Sequence, residues 1–284
     1  MTDLQKIVKY IALAFAALLA VGIIAGCVGL FGVLGAIVFG DKNGSTVITG
    51  ELEGVYTAIS DINVLEIDIA AANLTITQGE RFYVESNLKN LKIIEGNGKL
   101  ALKEKSKFKI SLGISLGKDY NPEAILTVYI PQGTVLDEAD ITSGAGTVRI
   151  EAMSVDSLEL ELGAGDLAAS NLTVTRGADI QGGAGRVTLT DCSIHNLDME
   201  MGVGQLNMHA ALSGRSELDL GVGESNITLI GSKSDYSLDI SRGIGELMVE
   251  GKKVNDAGIY GGENRVSING GIGRIDIGFD AAGN

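Results

Sequence analysis

The chain contains few of the residues on which several common protein classes depend. Among its 284 residues are no tryptophan, two prolines, two cysteines and two histidines. Two cysteines cannot build a disulfide framework, and two histidines leave little for a histidine-rich metal site. The scarcity of proline excludes a collagen or a proline-rich linker. Aromatic residues make up only 5% of the chain, which weighs against stacking platforms for bases or sugars.

Positive charge is also scarce. The chain has 22 lysines and arginines against 36 aspartates and glutamates, which gives a net charge of −14. Such an acidic chain repels phosphate groups, so binding to nucleic acid is disfavoured as its main function. Glycine, in contrast, is abundant, because its 40 residues are about twice the usual share of roughly 7%.

The longest uncharged stretch predicts a membrane anchor. Residues 10–40 contain no charged residue, and a helix needs only about 20 residues to cross the hydrocarbon core of a bilayer. Because Lys6 and Lys9 precede this stretch, the positive-inside rule places residues 1–9 in the cytoplasm and the C-terminal domain outside. Residues 41–50 form a linker. We therefore expect a single-pass protein of the cell membrane.

One feature of the anchor leaves an alternative open. Residues 24–27, which end at Cys27, resemble a bacterial lipobox, in which the cysteine is acylated after cleavage. The following residues, 28–39, stay apolar, whereas a lipoprotein usually continues with polar residues. An intact membrane helix is therefore favoured over lipidation.

A repeated Gly-x-Gly triplet indicates the fold of the remaining chain. It occurs seven times, mostly at intervals of 19 or 20 residues, and periods of this length are typical of solenoids. The glycines of the seven triplets are Gly144 and Gly146, Gly163 and Gly165, Gly183 and Gly185, Gly202 and Gly204, Gly221 and Gly223, Gly243 and Gly245, and Gly271 and Gly273.

Alternating apolar residues lead into each triplet, as in residues 158–162 and 197–201, and this pattern predicts strands with one buried face. The middle residue of every triplet is apolar, and we expect it to continue the buried side of the strand. After most triplets the alternation shifts, so that the chain must turn a corner at the glycines, where no Cβ obstructs it.

The predicted fold is all-β: a single-stranded parallel β-solenoid, or β-helix, with rungs of about 19–20 residues after one transmembrane helix. Residues 51–284 form the solenoid, with longer irregular rungs over 51–140 and regular rungs over 141–284. The last rung, residues 265–279, is expected to end the stack with a strand edge that is open to pairing, because only Phe279 and the acidic tail resemble a cap.

The anchor, the strand end Val-Tyr-Ile-Pro-Gln-Gly at residues 128–133 and the serial rungs together resemble the bacterial putative-adhesin family of unknown function. The resemblance covers residues 50–284. It implies a membrane-anchored β-helix of the cell envelope, and some members of the family lie near envelope-stress signalling systems. The family has no established catalytic residues, so the resemblance assigns none here.

An acidic column is the candidate functional site. One carboxylate stands four residues before the first glycine of six triplets and faces outward: Asp140, Glu159, Asp179, Asp198, Glu217 and Asp239. Rungs lie roughly 4.8 Å apart, so these like charges repel one another and would be stabilised by bound cations. Calcium, which takes six to eight oxygen ligands, is the possible cofactor. The alternative is a solvated face that discourages sheet aggregation.

The remaining polar candidates are predicted to be structural. Cys192 falls in an apolar column with Met153, Leu172 and Ala211 and is expected to be a buried thiol. His195 and His209 are expected to be separate surface residues. Two pairs, Asp166 with Arg186 and Glu246 with Arg274, are expected to form salt bridges across rungs.

No constellation of residues predicts catalysis. Strands follow the glycine triplets, whereas phosphate-binding glycines need a following helix. The favoured function is a non-enzymatic, membrane-anchored cell-surface solenoid, an adhesin or an envelope scaffold or sensor that binds a protein or cell-surface partner. Two alternatives remain open: a carbohydrate-active enzyme on a β-helix, and a membrane-bound regulator of an envelope-stress signalling system. The sequence leaves the oligomeric state open.

Overall fold

The computed structural model describes residues 46–49, 54–58, 61–88, 91–104, 123–255, 257–259 and 261–281. These residues form eighteen strands and one short 3-10 turn, Lys233–Asp235. The strands are β1 (Thr46–Thr49), β2 (Gly54–Thr57), β3 (Val64–Ala71), β4 (Asn73–Gly79), β5 (Tyr83–Ser86), β6 (Leu91–Gly96), β7 (Lys99–Glu104), β8 (Ile125–Pro131), β9 (Val135–Glu151), β10 (Ser154–Ser170), β11 (Thr173–His195), β12 (Leu197–Ser213), β13 (Arg215–Ile230), β14 (Tyr236–Ser241), β15 (Ile244–Val249), β16 (Lys252–Val254), β17 (Ala257–Ile259) and β18 (Asn264–Asp280).

The middle of the molecule is the predicted parallel solenoid. Strands β9, β10, β11, β12 and β13 pair in parallel, one after another, and each is one complete rung of the repeat. Residues aligned across this part of the stack are mostly 19 or 20 positions apart, as in Leu136 with Val155 and Glu159 with Asp179. The all-β class, the parallel pairing and the rung length are therefore confirmed.

Alternation along each rung builds the core. In β10, Leu158, Leu160 and Leu162 are buried before the triplet, while Leu167 and Ala169 are buried after it. The buried side of the strand thus shifts across the glycines, as the sequence predicts. Equivalent aliphatic residues of all rungs join in one continuous hydrophobic cluster, which runs the length of the stack.

The corner glycines are required because rungs stack there backbone against backbone. A Cβ added at Gly165 would overlap the carbonyl oxygen of Gly146, and one at Gly185 would overlap that of Gly165. Gly165 also has a φ of +142° and Gly185 a φ of +147°, conformations that other residues rarely adopt. The assignment of these glycines to structural corners agrees with this geometry.

The middle residues of the triplets lie elsewhere than predicted. We expected them inside, but none is buried: Ala145, Ala164, Ala184, Val203 and Val222 are half-buried, and Ile272 and Ile244 are exposed at 38% and 71%. The stacked backbone fills the corner, as the overlaps at the flanking glycines show. The seven middle side chains therefore form an apolar ridge along the outside of the corner.

The N-terminal part of the domain departs from a simple series of parallel rungs. Strands β3 and β4 form the rung that pairs with β9, and β7 and β8 pair with β3 and β4 from the other side. The rung of β3 and β4 therefore lies between β9 and the layer of β7 and β8, although β7 and β8 come later in the sequence than β3 and β4. Beyond it, β6 and β5 run antiparallel to β7 and β8, and β1 and β2 pair antiparallel with β6 and β5.

The expectation that residues 51–140 form parallel rungs is thus wrong for the two outermost layers at this end. The physical reason is the short connection within residues 91–104. A two-residue turn at Asn97 and Gly98, both with positive φ, joins β6 to β7 as a hairpin, and a hairpin can only place its strands antiparallel.

At the C-terminal end too, the order of the layers differs from the order of the strands in the sequence. Strand β18 inserts between β13 on one side and β14 and β15 on the other. The outermost described layer consists of β16 and β17, which pair antiparallel with β15 and β14. The last rung therefore does not end the stack, contrary to our expectation. The cap is instead formed by three-residue strands, with Lys252 and Lys253 on β16, and such short, charged edges discourage further pairing.

The predicted membrane anchor lies outside the described residues, as do Cys27 and residues 41–45 of the predicted linker, 41–50. Within that predicted linker, Thr46–Thr49 form strand β1. Within the part of the chain that the structure describes, no helix has the length and apolar character needed to span a bilayer.

The stacking of the corner can be tested with a glycine pair. We expect Gly185→Ala to lower the free energy of unfolding by about 3 kcal/mol or more, because a Cβ there meets backbone and the φ is unfavourable. Gly278 of β18 is the control, since a Cβ there meets no atom within 4 Å. Gly278→Ala should change stability by no more than about 0.5 kcal/mol. Equal effects in urea unfolding would contradict the proposed corner contacts.

Two buried serines test how the hydrogen bonding of a buried hydroxyl affects the stability of the core. The hydroxyl of Ser143 is fully buried and has no hydrogen-bond partner within the part of the chain that the structure describes, whereas that of Ser216 accepts a bond from the amide of Leu197 at 3.3 Å. Since an unsatisfied buried hydroxyl is costly, Ser143→Ala should raise the free energy of unfolding by about 1 kcal/mol. Ser216→Ala should lower it by a similar amount. Denaturant unfolding of both variants measures the two signs directly.

Candidate functional site

The acidic column exists as a spatial row. Glu159 lies opposite Asp140 on one neighbouring rung and opposite Asp179 on the other. Asp179 is followed in register by Asp198, and Asp198 by Glu217. Five of the six predicted carboxylates are therefore consecutive along the stack.

The sixth carboxylate is separated from the others. Strand β18 places Ser267 opposite Glu217, and Asp239 lies beyond that serine. The inserted strand thus interrupts the column, which the order of triplets in the sequence could not reveal. At the other end, Glu66 of β3 lies opposite Asp140 and extends the column.

Lysines neutralise one end of the column, and a side-chain amide donates hydrogen bonds at the other. Lys99 and Lys103 reach Glu66 at 2.7 and 2.6 Å. At the far end, the side-chain amide of Asn269 donates to Asp219, two residues after the column residue Glu217, at 2.7 Å, and more weakly to Glu217 itself at 3.4 Å. Among the described residues, no lysine or arginine forms a salt bridge with the central carboxylates, Glu159, Asp179 and Asp198.

The crowding of carboxylates changes their acidity. Burial, together with the charges of Glu161 and Asp179, raises the pKa of Glu159 above its ordinary value. Burial and the charges of Glu159 and Glu66 likewise raise the pKa of Asp140, and burial and Asp140 raise the pKa of Glu161. These groups are ionised at neutral pH only at a cost to the fold, which is reduced when protons or cations bind them.

A shallow depression of about 320 Å³ lies beside the column. It is lined by Glu138, Glu159 and Asp179, by Asn196, and by the backbone around Gly177. Three carboxylates from three successive rungs therefore border one concave surface. This is the concave part of the acidic face where a cationic group would meet several carboxylates.

No group of three or more histidine, cysteine, aspartate or glutamate side chains within the described ranges is arranged to hold a metal ion. The register keeps the column carboxylates on separate rungs, about 4.8 Å apart in backbone spacing. Calcium binding by the column stays a prediction, and any such ion would need water or a partner to complete its ligands.

Cys192 is buried, as predicted, and burial raises the pKa of its thiol. Its neighbour on the next rung is Ala210, not Ala211. The correction has a local cause, because Asp191 adopts a φ of +52° and the register shifts between Thr190 and Cys192. This bulge adds one residue to β11, which a count of positions from the triplet does not detect.

The two predicted salt bridges have different outcomes. Arg186 lies 3.9 Å from Asp166 on the neighbouring rung, and its backbone amide also donates to that carboxylate at 3.1 Å. Glu246 and Arg274 are aligned in register but bind other partners. Glu246 accepts from Lys253 at 2.8 Å, and Arg274 donates to Asp276 at 3.1 Å.

The two histidines are not alike. Nδ1 of His195 lies 3.0 Å from the hydroxyl of Ser213, in an ordinary surface pair. His209 has a carboxylate at each ring nitrogen, Asp191 at 2.7 Å and Asp280 at 3.2 Å. Sequence reasoning missed this arrangement, because Asp280 is 71 residues away and reaches His209 only through the inserted strand β18.

Removing one charge from the column tests the repulsion. We expect Glu159→Gln to raise the free energy of unfolding at neutral pH by about 0.5 kcal/mol, since it relieves like-charge repulsion between rungs. As the pH falls, the wild-type side chain takes up a proton and this advantage disappears.

The matched control is Glu224→Gln, because Glu224 lies opposite Arg274 and not opposite another acid. That change should give no gain in stability at neutral pH. Chemical denaturation of both variants at neutral and acidic pH measures the difference. A destabilised Glu159→Gln at neutral pH would show that the column carboxylates do not repel one another appreciably.

Comparison with known proteins gives one family match and several similar solved structures. A family model described as Toastrack DUF4097 matches residues 62–259, well over half of the chain. A search of curated proteins finds no match. A solved structure described as a putative cell adhesion protein from Clostridium sporogenes ATCC 15579 is 16% identical, covers 83% of this chain and 99% of its own, and has a TM-score of 0.31. A putative adhesin from Bacteroides fragilis NCTC 9343 is 14% identical, covers 82% and 97%, and has a TM-score of 0.35.

Proposed function

The chain belongs to the Toastrack DUF4097 family, and on this premise we propose that it is a non-enzymatic, membrane-anchored β-solenoid that presents an acidic face to a cationic partner outside the cytoplasm. The observation that carries the proposal is the centre of the acidic column. Glu159, Asp179 and Asp198 lie on consecutive rungs without a salt bridge among the described residues, and a bound cationic group would relieve their repulsion.

The position of the anchor supports display of this face. Residues 10–40 form the predicted membrane helix, and β1 begins only six residues later, in the outermost layer at the N-terminal end of the stack. The described strands form twelve layers, which at about 4.8 Å per layer give a rod roughly 50 Å long. An upright rod would hold the central carboxylates some distance above the membrane, where an external partner can reach them.

Calcium is the simplest cationic ligand that this proposal allows. A ligand that binds only the folded state raises stability by about 2.7 kcal/mol when it is present at a hundredfold excess over its dissociation constant. The full chain in detergent should therefore unfold at a higher temperature with calcium chloride than with a chelator. Magnesium should act more weakly, because it demands a stricter octahedral geometry.

Charge reversal identifies the residues responsible. The double variant Asp179→Lys and Asp198→Lys should abolish the shift with calcium and weaken binding to a lysine-rich peptide. The control carries the same change of charge at two exposed sites away from the column, Asp61→Lys and Glu263→Lys. If both double variants bind calcium and the peptide as the wild type does, the acidic column is a solvated face and the proposal fails.

One observation favours a second candidate, a carbohydrate-active enzyme. Glu159 borders the depression of about 320 Å³ and has a raised pKa, as does the general acid of a glycosidase, and Asp179 lies on the next rung of the same wall. Hydrolysis of cell-surface glycans by the full chain, lost in Glu159→Gln and retained in Glu224→Gln, would establish it. If the wild-type chain leaves the glycans unchanged, the enzyme candidate fails and the binding function remains.

A further inference from the structure

His209 occupies a site that the proposed function does not use. His209 lies on β12, and both of its ring nitrogens are within hydrogen-bond distance of carboxylate oxygens. Its Nδ1 lies 2.7 Å from a carboxylate oxygen of Asp191, and its Nε2 lies 3.2 Å from one of Asp280. The side chain is about one-third exposed. The three residues come from three strands, β11, β12 and β18.

The two carboxylates are held by the backbone and not only by the histidine. Asp191 sits at the bulge of β11, where its φ of +52° fixes its direction. Asp280 is the last residue of β18, and its carbonyl oxygen accepts a bond from the amide of Gly231 at 2.8 Å. His209 therefore joins the end of the inserted strand to a rigid feature on β11, three rungs deeper in the stack.

The chemistry of the ring decides how many of these bonds can exist. A neutral imidazole has one N–H donor and one acceptor nitrogen, while a carboxylate can only accept. Both bonds are possible together only in the imidazolium form. The charged groups that face the ring are Asp191 from β11 and Asp280 from β18, while the aligned residues on the adjoining strands, Thr190 and Thr228, are uncharged.

We propose that His209 is a pH-operated latch, which holds the C-terminal end of β18 on the solenoid when the imidazole is protonated and releases it when the proton is lost. Loss of the proton leaves one carboxylate facing an acceptor nitrogen, so one of the two contacts becomes repulsive. Because β18 lies between β13 and the strands β14 and β15, on which the cap strands β17 and β16 pair, the latch controls how firmly this end of the stack is attached.

The direction of the pH dependence follows from the balance at the ring. Partial burial lowers the pKa of His209, but the hydrogen bonds and charges of Asp280 and Asp191 outweigh it, and the pKa is raised above the ordinary value of about 6.5. The stabilisation is therefore fully present below about pH 6.5 and is lost as the pH rises through the higher value of the folded state. The latch is closed in mildly acidic surroundings and opens in alkaline ones.

The other histidine provides a matched control. Among the described residues, the ring of His195 forms a hydrogen bond only with the hydroxyl of Ser213, and it lies on the preceding rung. The acidic column also changes stability with pH, so each variant is compared with the wild type at the same pH. Full-length wild type, His209→Gln and His195→Gln are unfolded with urea in detergent at a series of pH values.

We expect the stability advantage of the wild type over His209→Gln at acidic pH to shrink as the pH rises, while His195→Gln parallels the wild type throughout. Amide hydrogen exchange, corrected for intrinsic rates, locates the effect. Protection at Phe279 and Asp280 should fall several-fold between acidic and alkaline pH in the wild type and be uniformly low in His209→Gln, while β10 stays protected. Equal pH dependence in wild type and His209→Gln, or equal loss of protection in β10 and β18, would overturn the latch.

Discussion

Direct contact between the backbones of neighbouring rungs at the glycine corners is the constraint on which the structure depends. A Cβ at Gly165, Gly185, Gly204 or Gly223 would overlap the carbonyl oxygen of the glycine one rung below. Only glycine permits this approach, and the approach in turn fixes the register of both strands that meet at the corner. The continuous aliphatic core and the alignment of surface residues follow from that register.

In-register stacking also creates the electrostatic character of the surface. Once the corners align, the carboxylates four residues before successive triplets from Asp140 to Glu217 must lie opposite one another. Burial, together with the charges of neighbouring carboxylates, raises the pKa of Asp140 and Glu159. The fold tolerates this repulsion in the centre and relieves it at the ends, through Lys99 and Lys103 at one end and Asn269 at the other. A face that is costly to the free protein is the part of its surface best suited to a cationic ligand.

The local sequence pattern was sufficient to predict the repeating part of the molecule, because the residues that determine the rung, the corner and the core all lie within one period of 19 or 20 residues. It could not predict the order of the layers at the ends. The insertion of β18 beside β13 joins residues about 50 positions apart, and nothing in residues 264–280 distinguishes pairing with β13 from pairing with β15 alone. The same limit explains why the column was extended wrongly to Asp239 and why the contact between His209 and Asp280 was missed.

Cysteine crosslinking across β13 tests the central claim, a continuous stack that is closed by an inserted strand. Asn226 lies opposite Asp276 of β18, whereas a stack in sequence order would place it opposite Met248 of β15. Neighbouring strands bring aligned Cα atoms to about 4.8 Å, within the range of a disulfide. With Cys27 and Cys192 replaced by alanine, oxidation should join Asn226→Cys to Asp276→Cys and should not join Asn226→Cys to Met248→Cys. The reverse pattern would contradict the account.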